Sequence, residues 1–152
     1  MPGGVEITVK IEDKEVREVL SRFQSRLGNL NPAMKIIGEV VRKSVWENFR
    51  QGGRPAKWEP NAPATLKRKK GTAVLINKGV SGGLMGSITS QASKDSVTVG
   101  TNKRYAAIHQ FGGPAGRRSK RVTIPARPYL MVQDEDWVEI KQVLADYLTG
   151  LK

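Results

Sequence analysis

A chain of 152 residues is long enough for one domain with a buried core and leaves little room for a second domain. Cysteine is absent, which excludes disulfides and thiolate metal sites, and no apolar run approaches the roughly 20 residues needed to cross a bilayer. The start, Met1-Pro2-Gly3-Gly4, lacks the apolar core of a signal peptide, so we expect a soluble chain without membrane contact. The formal net charge of +12 favours a polyanionic partner such as nucleic acid.

The first two predicted elements are a strand and a helix. Apolar residues alternate with polar ones over residues 5 to 11, which predicts a half-buried strand made by Val5, Ile7, Val9 and Ile11. Asp13 can cap the next segment and Gly28 can end it, so a helix is predicted over residues 14 to 27. Its apolar stripe consists of Val16, Val19, Leu20, Phe23 and Leu27.

A second, longer helix is predicted from Asn31, as N-cap before Pro32, to Arg50, with Gly52 after its end. Its apolar face contains Met34, Ile37, Val41, Val45 and Phe49, widened by Ile36 and Val40. The wide face indicates packing on both the sheet and the first helix, or on a neighbouring subunit, and the core interpretation is favoured.

Residues 84 to 100 predict a short turn or helix and then a hairpin around Lys94-Asp95. With the opening strand and an extended segment at residues 121 to 124, this makes about four strands. A last helix is predicted over residues 134 to 151, with an acidic first turn and a buried stripe of Trp137, Ile140, Val143, Leu144, Tyr147 and Leu148. The expected fold is one α+β domain over residues 1 to 152: a small, mainly antiparallel sheet packed with two N-terminal helices and the C-terminal helix. Long loops are expected at residues 51 to 61, 71 to 83 and 112 to 121.

The most informative stretch runs from residue 105 to residue 130 and contains YAAIHQFGG and IPARPYL. The first motif has short helical or turn-like spacing and must stop at Gly112. The prolines of the second motif favour extended backbone at Ile124 and Arg127. We predict that residues 105–111 and 127–129 form a rigid corner that positions the chain for contact with a partner.

His109 is the single histidine, and no HxxxH or HExxH spacing supplies further metal ligands. Hydrogen bonds from His109 that order the turn are therefore favoured over catalysis or metal binding. No G-x-S-x-G elbow, carboxylate pair or phosphate loop is present, so we expect neither an enzyme nor a cofactor.

Taken together, YAAIHQFGG, a basic linker, IPARPYL and a terminal helix, preceded by a Trp-containing loop and an "L…G…L…SI" segment, resemble the phage virion morphogenesis or tail-completion proteins of Mu-like and related tailed phages. The resemblance covers the chain from about residue 40 to its end. It implies a structural protein that forms a ring, hexameric by the resemblance, at the head-proximal end of the tail or at the head-tail joint. Its implied partners are copies of itself, the tail-tube protein and neck or connector proteins, in the virion and in the host cytoplasm during assembly. It also implies a short basic helix, here residues 64 to 70, after the tryptophan.

Two sets of residues are candidates for contact with partners. The proposed interface consists of Trp58, Tyr105, His109, Gln110, Phe111, Arg127, Pro128 and Tyr129, although Trp58 can equally be a lid over the core and the aromatic rings can simply fill it. The proposed basic contact consists of Lys67, Arg68, Lys69, Lys70, Arg117, Arg118, Lys120 and Arg121. For the first block, residues 67 to 70, a solvated surface is favoured over contact with phosphates.

Charge distribution separates the two remaining functions. Residues 50 to 70 are strongly basic and residues 134 to 152 are acidic, so copies of the chain can pair head to tail in a ring. The alternative is a small basic protein that binds nucleic acid without sequence specificity.

Overall fold

The computed structural model describes residues 14–76 and 83–150. The helices are α1 (Lys14–Leu27), α2 (Asn31–Gln51), α3 (Pro63–Arg68), α4 (Ala106–Phe111) and α5 (Asp134–Thr149). The strands are β1 (Thr89–Ala92), β2 (Val97–Gly100), β3 (Gly113–Ala115) and β4 (Val122–Ile124), and a 3-10 turn spans Met85–Ser87. This confirms the α+β class, while the strand expected at residues 5 to 11 and the cap expected for the first helix at Asp13 lie outside the described residues. Among the described helices, none combines the length and apolar character that a membrane span requires.

Helix α2 is the central element of the fold. Its predicted face is confirmed, since Met34, Ile37, Val45 and Phe49 are buried. Ile36 does not widen that face, because its side chain is exposed. The helix packs chiefly against α5 and the β1–β2 hairpin, so the prediction that it also packs on the first helix is corrected.

The start of α2 differs from the prediction. Leu30, not Asn31, is the residue before the helix, and no side chain caps it. The Asn31 side-chain amide instead donates hydrogen bonds to the carbonyls of Ser93, at 2.8 Å, and Ala92, at 3.4 Å. Asn31 therefore ties the start of α2 to the turn of the hairpin.

The predicted hairpin of β1 and β2 is confirmed. The strands are antiparallel, with Thr89 opposite Gly100 and Ala92 opposite Val97. The hairpin lies so close to α2 that a Cβ added at Gly38 would be 2.9 Å from Val97 Cγ2 and 3.0 Å from Ser90 Cβ. A glycine on α2 thus permits the close approach of helix and sheet.

The described strands form two separate two-stranded sheets, where the sequence predicted one small sheet of about four strands. Strands β3 and β4 pair antiparallel, with Gly113 opposite Ile124 and Ala115 opposite Val122. The Gly- and Arg-rich segment at residues 112 to 121 was expected to be a loop, but its first residues pair with the extended segment that ends at Ile124. The extended backbone predicted at Ile124 is confirmed.

Two groups of buried side chains form the core. The larger group contains Val45, Phe49, Trp58, Leu84, Ile88, Ala106 and Tyr129. The smaller group, Met34, Ile37 and Ile140, lies between α2 and α5. The corner and the Trp58 loop therefore meet α2 in the first group.

Helix α1 has the predicted bounds and a different environment. It has no buried residue, and all five members of its apolar stripe are exposed. Its contacts are with α5, where Arg26 Nη1 donates to the Tyr147 carbonyl at 2.8 Å. The expectation that this helix packs on the sheet is therefore wrong for the described residues.

Helix α5 begins with a capping box. The Gln133 backbone N–H donates to Asp136 Oδ2 at 2.7 Å, and the Gln133 side chain accepts from the backbone N–H of Asp136. Ser44 donates to the same Asp136 carboxylate and so joins α2 to the start of α5. Ile140 is buried as predicted, but Trp137 is 51% exposed, which corrects its assignment to the buried stripe.

Candidate functional site

The corner, defined as residues 105–111 together with residues 124–130, is held by Gln110. Its Oε1 atom accepts from the backbone N–H groups of Tyr129 and Leu130, both at 3.0 Å, and its Nε2 atom donates to the Leu130 carbonyl at 3.3 Å. A backbone bond from Arg127 N to His109 O, at 2.7 Å, adds a fourth link. A fifth link runs from the Tyr129 hydroxyl to the Ala106 carbonyl, so the predicted corner is held by the Gln110 amide, one backbone contact and the Tyr129 side chain.

Gly112 lets the two parts of the corner approach each other. Its φ of 70° lies in the left-handed region, and a Cβ there would be 2.7 Å from Ala126 N and 2.9 Å from Ile124 O. The predicted stop of the short helix at Gly112 is confirmed, because α4 ends at Phe111.

Arg127 is a structural residue of this corner. It is 7% exposed, and its guanidinium donates three hydrogen bonds of 3.0 to 3.1 Å to the carbonyls of Glu59 and Pro60. Burial lowers the pKa of Arg127, and the nearby Glu59 carboxylate acts in the opposite direction. The side chain thus fastens the loop after Trp58 to the corner, which corrects its assignment to an exposed interface.

Trp58 and Tyr129 belong to the core. Tyr129 is buried and donates from its hydroxyl to the Ala106 carbonyl at 3.1 Å, and burial raises its pKa. Trp58 Nε1 donates to the Pro128 carbonyl at 3.2 Å. Both rings contact Phe49, with centroids 5.8 Å away for Trp58 and 5.2 Å for Tyr129. The structure thus supports the core alternative for these two aromatic residues.

His109 does not order the turn through its side chain, which corrects the hydrogen-bonding role predicted for it. Its Nδ1 atom is buried without a hydrogen-bond partner, and the ring packs edge-on against Tyr105 at a centroid distance of 6.0 Å. Burial lowers the pKa of His109, and the positive charge of Arg127 lowers it further. Within residues 14–76 and 83–150, no group of three or more His, Cys, Asp or Glu side chains is placed to hold a metal ion.

Two of the interface candidates present apolar surface at the corner. Phe111 is 78% exposed at the end of α4, and Tyr105 is exposed at its start. Val122, on β4, is also exposed and was missed by the sequence reasoning. The sequence did contain a signal for its exposure, because Val122 is an isolated apolar residue beside a basic linker.

A cavity of about 550 Å³ lies beside the corner, between α3 and β4. Its lining includes Tyr105, Val122 and His109 together with three basic residues, Arg68, Lys69 and Arg127. The structure therefore brings half of the first basic block next to the corner. The second block, Arg117, Arg118, Lys120 and Arg121, is exposed and does not line this cavity.

The basic block beside α3 is largely solvated. Lys67, Arg68 and Lys70 are exposed, whereas Lys69 is half-buried and donates from Nζ to the Ala73 carbonyl. Burial lowers the pKa of Lys69, with a further contribution from Arg127. The expected short basic helix is present as α3, which begins one residue earlier than predicted, at Pro63, and ends two residues earlier, at Arg68.

Part of the predicted charge pairing between copies occurs within the chain. Arg54 Nη1 lies 3.0 Å from Glu135 Oε1, so a basic loop residue already binds the acidic first turn of α5. The same guanidinium donates to Asn48 Oδ1 at 2.8 Å and to the Ser44 carbonyl at 2.9 Å. Arg54 is therefore a structural residue, a role that sequence reasoning missed because the loop was judged by its charge alone.

Comparison with known proteins identifies relatives among phage assembly proteins. A family model described as the phage virion morphogenesis family matches residues 11–149. The chain is 39% identical over 134 residues to "Mu-like prophage FluMu G protein 2" of Haemophilus influenzae, covering 88% of this chain and 89% of that protein. It is 43% identical over 49 residues to "Putative capsid assembly protein G" of Escherichia phage Mu, covering 32% of this chain and 31% of that protein. No solved structure matches the chain.

Proposed function

Because the chain belongs to the phage virion morphogenesis family, we propose that it is a structural protein that completes the tail and joins it to the head. Copies of the chain form a ring at the head-proximal end of the tail, hexameric by the family resemblance, next to tail-tube and neck proteins. The name of the phage Mu relative, a putative capsid assembly protein, supports a position where head and tail meet.

The observation that carries the proposal is the exposure of Phe111 on a rigid support. A side chain of this size, 78% exposed, leaves apolar surface in water, and its burial against a partner is worth about 1.5–3 kcal/mol. Five hydrogen bonds hold the corner in one shape before any partner binds. Little conformational entropy is then lost on association, which favours a protein contact at this point.

Charges that are not used within the chain support the contact between copies. Lys67, Arg68 and Lys70 are exposed near α3, and Asp134 and Glu139 are exposed on α5. None of these five residues forms an ion pair within the described parts of the chain. Opposite charges on different elements steer like molecules into head-to-tail contact.

An infection assay with Phe111→Ser tests the proposal. The phage that encodes this chain is deprived of its own copy and supplied with wild-type protein, Phe111→Ser or the control Val138→Ser, which changes an exposed apolar side chain on α5. We expect Phe111→Ser to fold with an unchanged melting temperature and to reduce complete particles at least tenfold, while Val138→Ser supports normal assembly. A normal yield of joined heads and tails from Phe111→Ser would contradict the proposal.

The second candidate function, nucleic-acid binding without sequence specificity, is favoured by the exposure of seven of the eight basic candidates. If the charge serves assembly instead, DNA binding should be weak and should fall steeply as salt is raised, because only phosphates are contacted. Binding of duplex DNA measured at several salt concentrations distinguishes the two functions. Tight binding that persists at physiological salt would favour the second candidate over an assembly protein.

A further inference from the structure

Helix α1 carries an apolar face that no residue in the described ranges 14–76 and 83–150 buries. The stripe of Val16, Val19, Leu20, Phe23 and Leu27 recurs with helical spacing along the full length of the helix, and every member is exposed. A 14-residue helix is marginal in water unless an amphipathic face is packed. The face therefore indicates a contact made with another molecule or segment.

A second apolar surface, open within the part of the chain that the structure describes, lies between α2, β2 and α5. It is a groove of about 400 Å³ lined by twelve residues, all apolar, among them Met34, Ile37, Val97, Trp137, Ile140 and Leu144. The groove is the open side of the smaller core group, and Trp137 at its edge is 51% exposed. Its lining offers a wide apolar seat and no polar side chain to orient a small polar ligand.

The two helices that carry these surfaces have opposite net charges. Helix α1 has four basic and two acidic residues, for a net charge of +2. Helix α5, which forms one wall of the groove, has five acidic residues and one basic residue, for a net charge of −4. Glu139 on α5 and Arg22 on α1 form no ion pair within the described ranges. Charge therefore favours α1 as the occupant of this groove over an acidic partner.

The attachment of α1 to its own chain keeps it out of its own groove. Arg26 binds the Tyr147 carbonyl at 2.8 Å and stacks over the Tyr147 ring at 5.9 Å, and the Tyr147 hydroxyl donates to Asn29 O at 2.6 Å. These contacts fix the C-terminal end of α1 beside the C-terminal end of α5. The groove instead runs along α5 from Trp137 to Leu144.

We propose that the apolar stripe of α1 seats in the α2–β2–α5 groove of a second copy of the chain. The stripe and the groove are different surfaces, so the contact is head to tail and repeats from copy to copy, and a ring results if the rotation closes. The inference rests on the proposed self-assembly and identifies the joint through which it occurs.

Paired cysteines test the joint directly, because the natural chain has no cysteine and gives no background. Leu20→Cys lies in the middle of the stripe and Trp137→Cys at the edge of the groove. The two single variants are mixed and oxidised mildly with diamide. We expect a covalent heterodimer from the mixture and, from the double variant, a ladder of covalent oligomers.

Matched controls lie one residue away on each helix. Ser21→Cys faces away from the stripe on α1, and Val138→Cys is exposed on α5 but does not line the groove. Mixing Ser21→Cys with Trp137→Cys, or Leu20→Cys with Val138→Cys, should give at least tenfold less heterodimer. Equal yields from the controls would show random collision and overturn the proposal.

Other occupants give distinct results in the same assay. Two double variants, Leu20→Cys with Trp137→Cys and Val9→Cys with Trp137→Cys, test whether the groove is filled by the N-terminal part of its own chain. A disulfide within one chain of either variant would overturn the proposal. A ladder that stops at two copies would overturn the head-to-tail arrangement. If the protein forms oligomers of unchanged native mass but no covalent heterodimer, this joint is refuted and the proposed function remains intact. If the cysteine pair crosslinks as expected but Phe111→Ser supports normal particle assembly, the proposed function is refuted and the joint remains.

Discussion

Replacing Arg127 by alanine separates a structural role for this side chain from an interface role. In the structure its guanidinium is buried and donates three hydrogen bonds to the carbonyls of Glu59 and Pro60. The alanine variant leaves both carbonyls without these donors and also removes the methylene groups packed beneath the corner. The predicted primary effect is therefore a loss of stability, with loss of assembly only as its consequence.

The size of the loss follows from the bonds. Hydrogen bonds to charged groups contribute about 1.5–3 kcal/mol each, but two of the three share one carbonyl and their contributions do not add. We expect the free energy of unfolding of Arg127→Ala to fall by about 2–4 kcal/mol, a large part of the roughly 5–15 kcal/mol typical of a domain. The corresponding fall in melting temperature is roughly 4–16 °C.

Urea unfolding followed by circular dichroism measures this difference. Arg127→Lys keeps the charge but not the planar donor fork, so its stability should lie between those of wild type and Arg127→Ala. Phe111→Ala, an exposed change on the same corner, should stay within about 0.5 kcal/mol of wild type. If Arg127→Ala were as stable as wild type and failed only in assembly, the structural account of Arg127 would be refuted and the interface account restored.

Three further predictions concern the same corner. Gln110→Ala removes the acceptor of two backbone N–H groups, including that of Tyr129, and should lower the free energy of unfolding in urea by about 1–3 kcal/mol. Gln110→Glu keeps the acceptor and should lower it less; equal losses of stability would argue against the Gln110 clamp. Gly112→Ala places a methyl group against backbone atoms at a residue with positive φ and should lower the free energy of unfolding by at least about 2 kcal/mol. Gly86 faces open space, so the stability of Gly86→Ala should stay within about 0.5 kcal/mol of wild type, and similar losses for the two variants would refute the close approach at Gly112. Burial lowers the pKa of His109 below the usual 6.5. Below that pH the unfolded state therefore binds more protons than the folded state. The stability that neutral His109 confers is lost as the pH falls through its folded-state pKa. Melting temperatures between pH 7.5 and pH 5 should therefore fall more for wild type than for His109→Gln, and parallel curves would contradict the burial of this ring.

Periodic patterns predicted the helices of the fold because each apolar repeat is local. The bounds of α1 and the buried face of α2 could be read from spacing alone. Whether an apolar stripe is covered depends instead on distant residues. Phe23 on α1 and Trp137 on α5 are exposed for that reason, although their spacing is that of buried residues.

The roles of polar residues depended on partners that no local pattern shows. Arg127 was predicted to contact a partner and Arg54 was counted only among the basic residues of its loop. Each instead binds backbone carbonyls, and Arg54 also pairs with Glu135, 81 positions along the chain. The special character of the corner was visible from its Gln, Gly and Pro residues. The specific clamp by Gln110 Oε1 could not be predicted, because it requires the three-dimensional path of Tyr129 and its neighbour.

The native mass of the purified protein, alone and with tail-tube protein, tests the central claim that this chain assembles with itself at the end of the tail. Each copy has a mass of 16.7 kDa. Assembly into a ring predicts a single native mass that is an integral multiple of this value, either for the protein alone or once the tube protein is present. The same assembly should be found at the ends of tubes by electron microscopy. A chain that remains at 16.7 kDa both alone and with tubes, and that does not bind tube ends, would contradict the account.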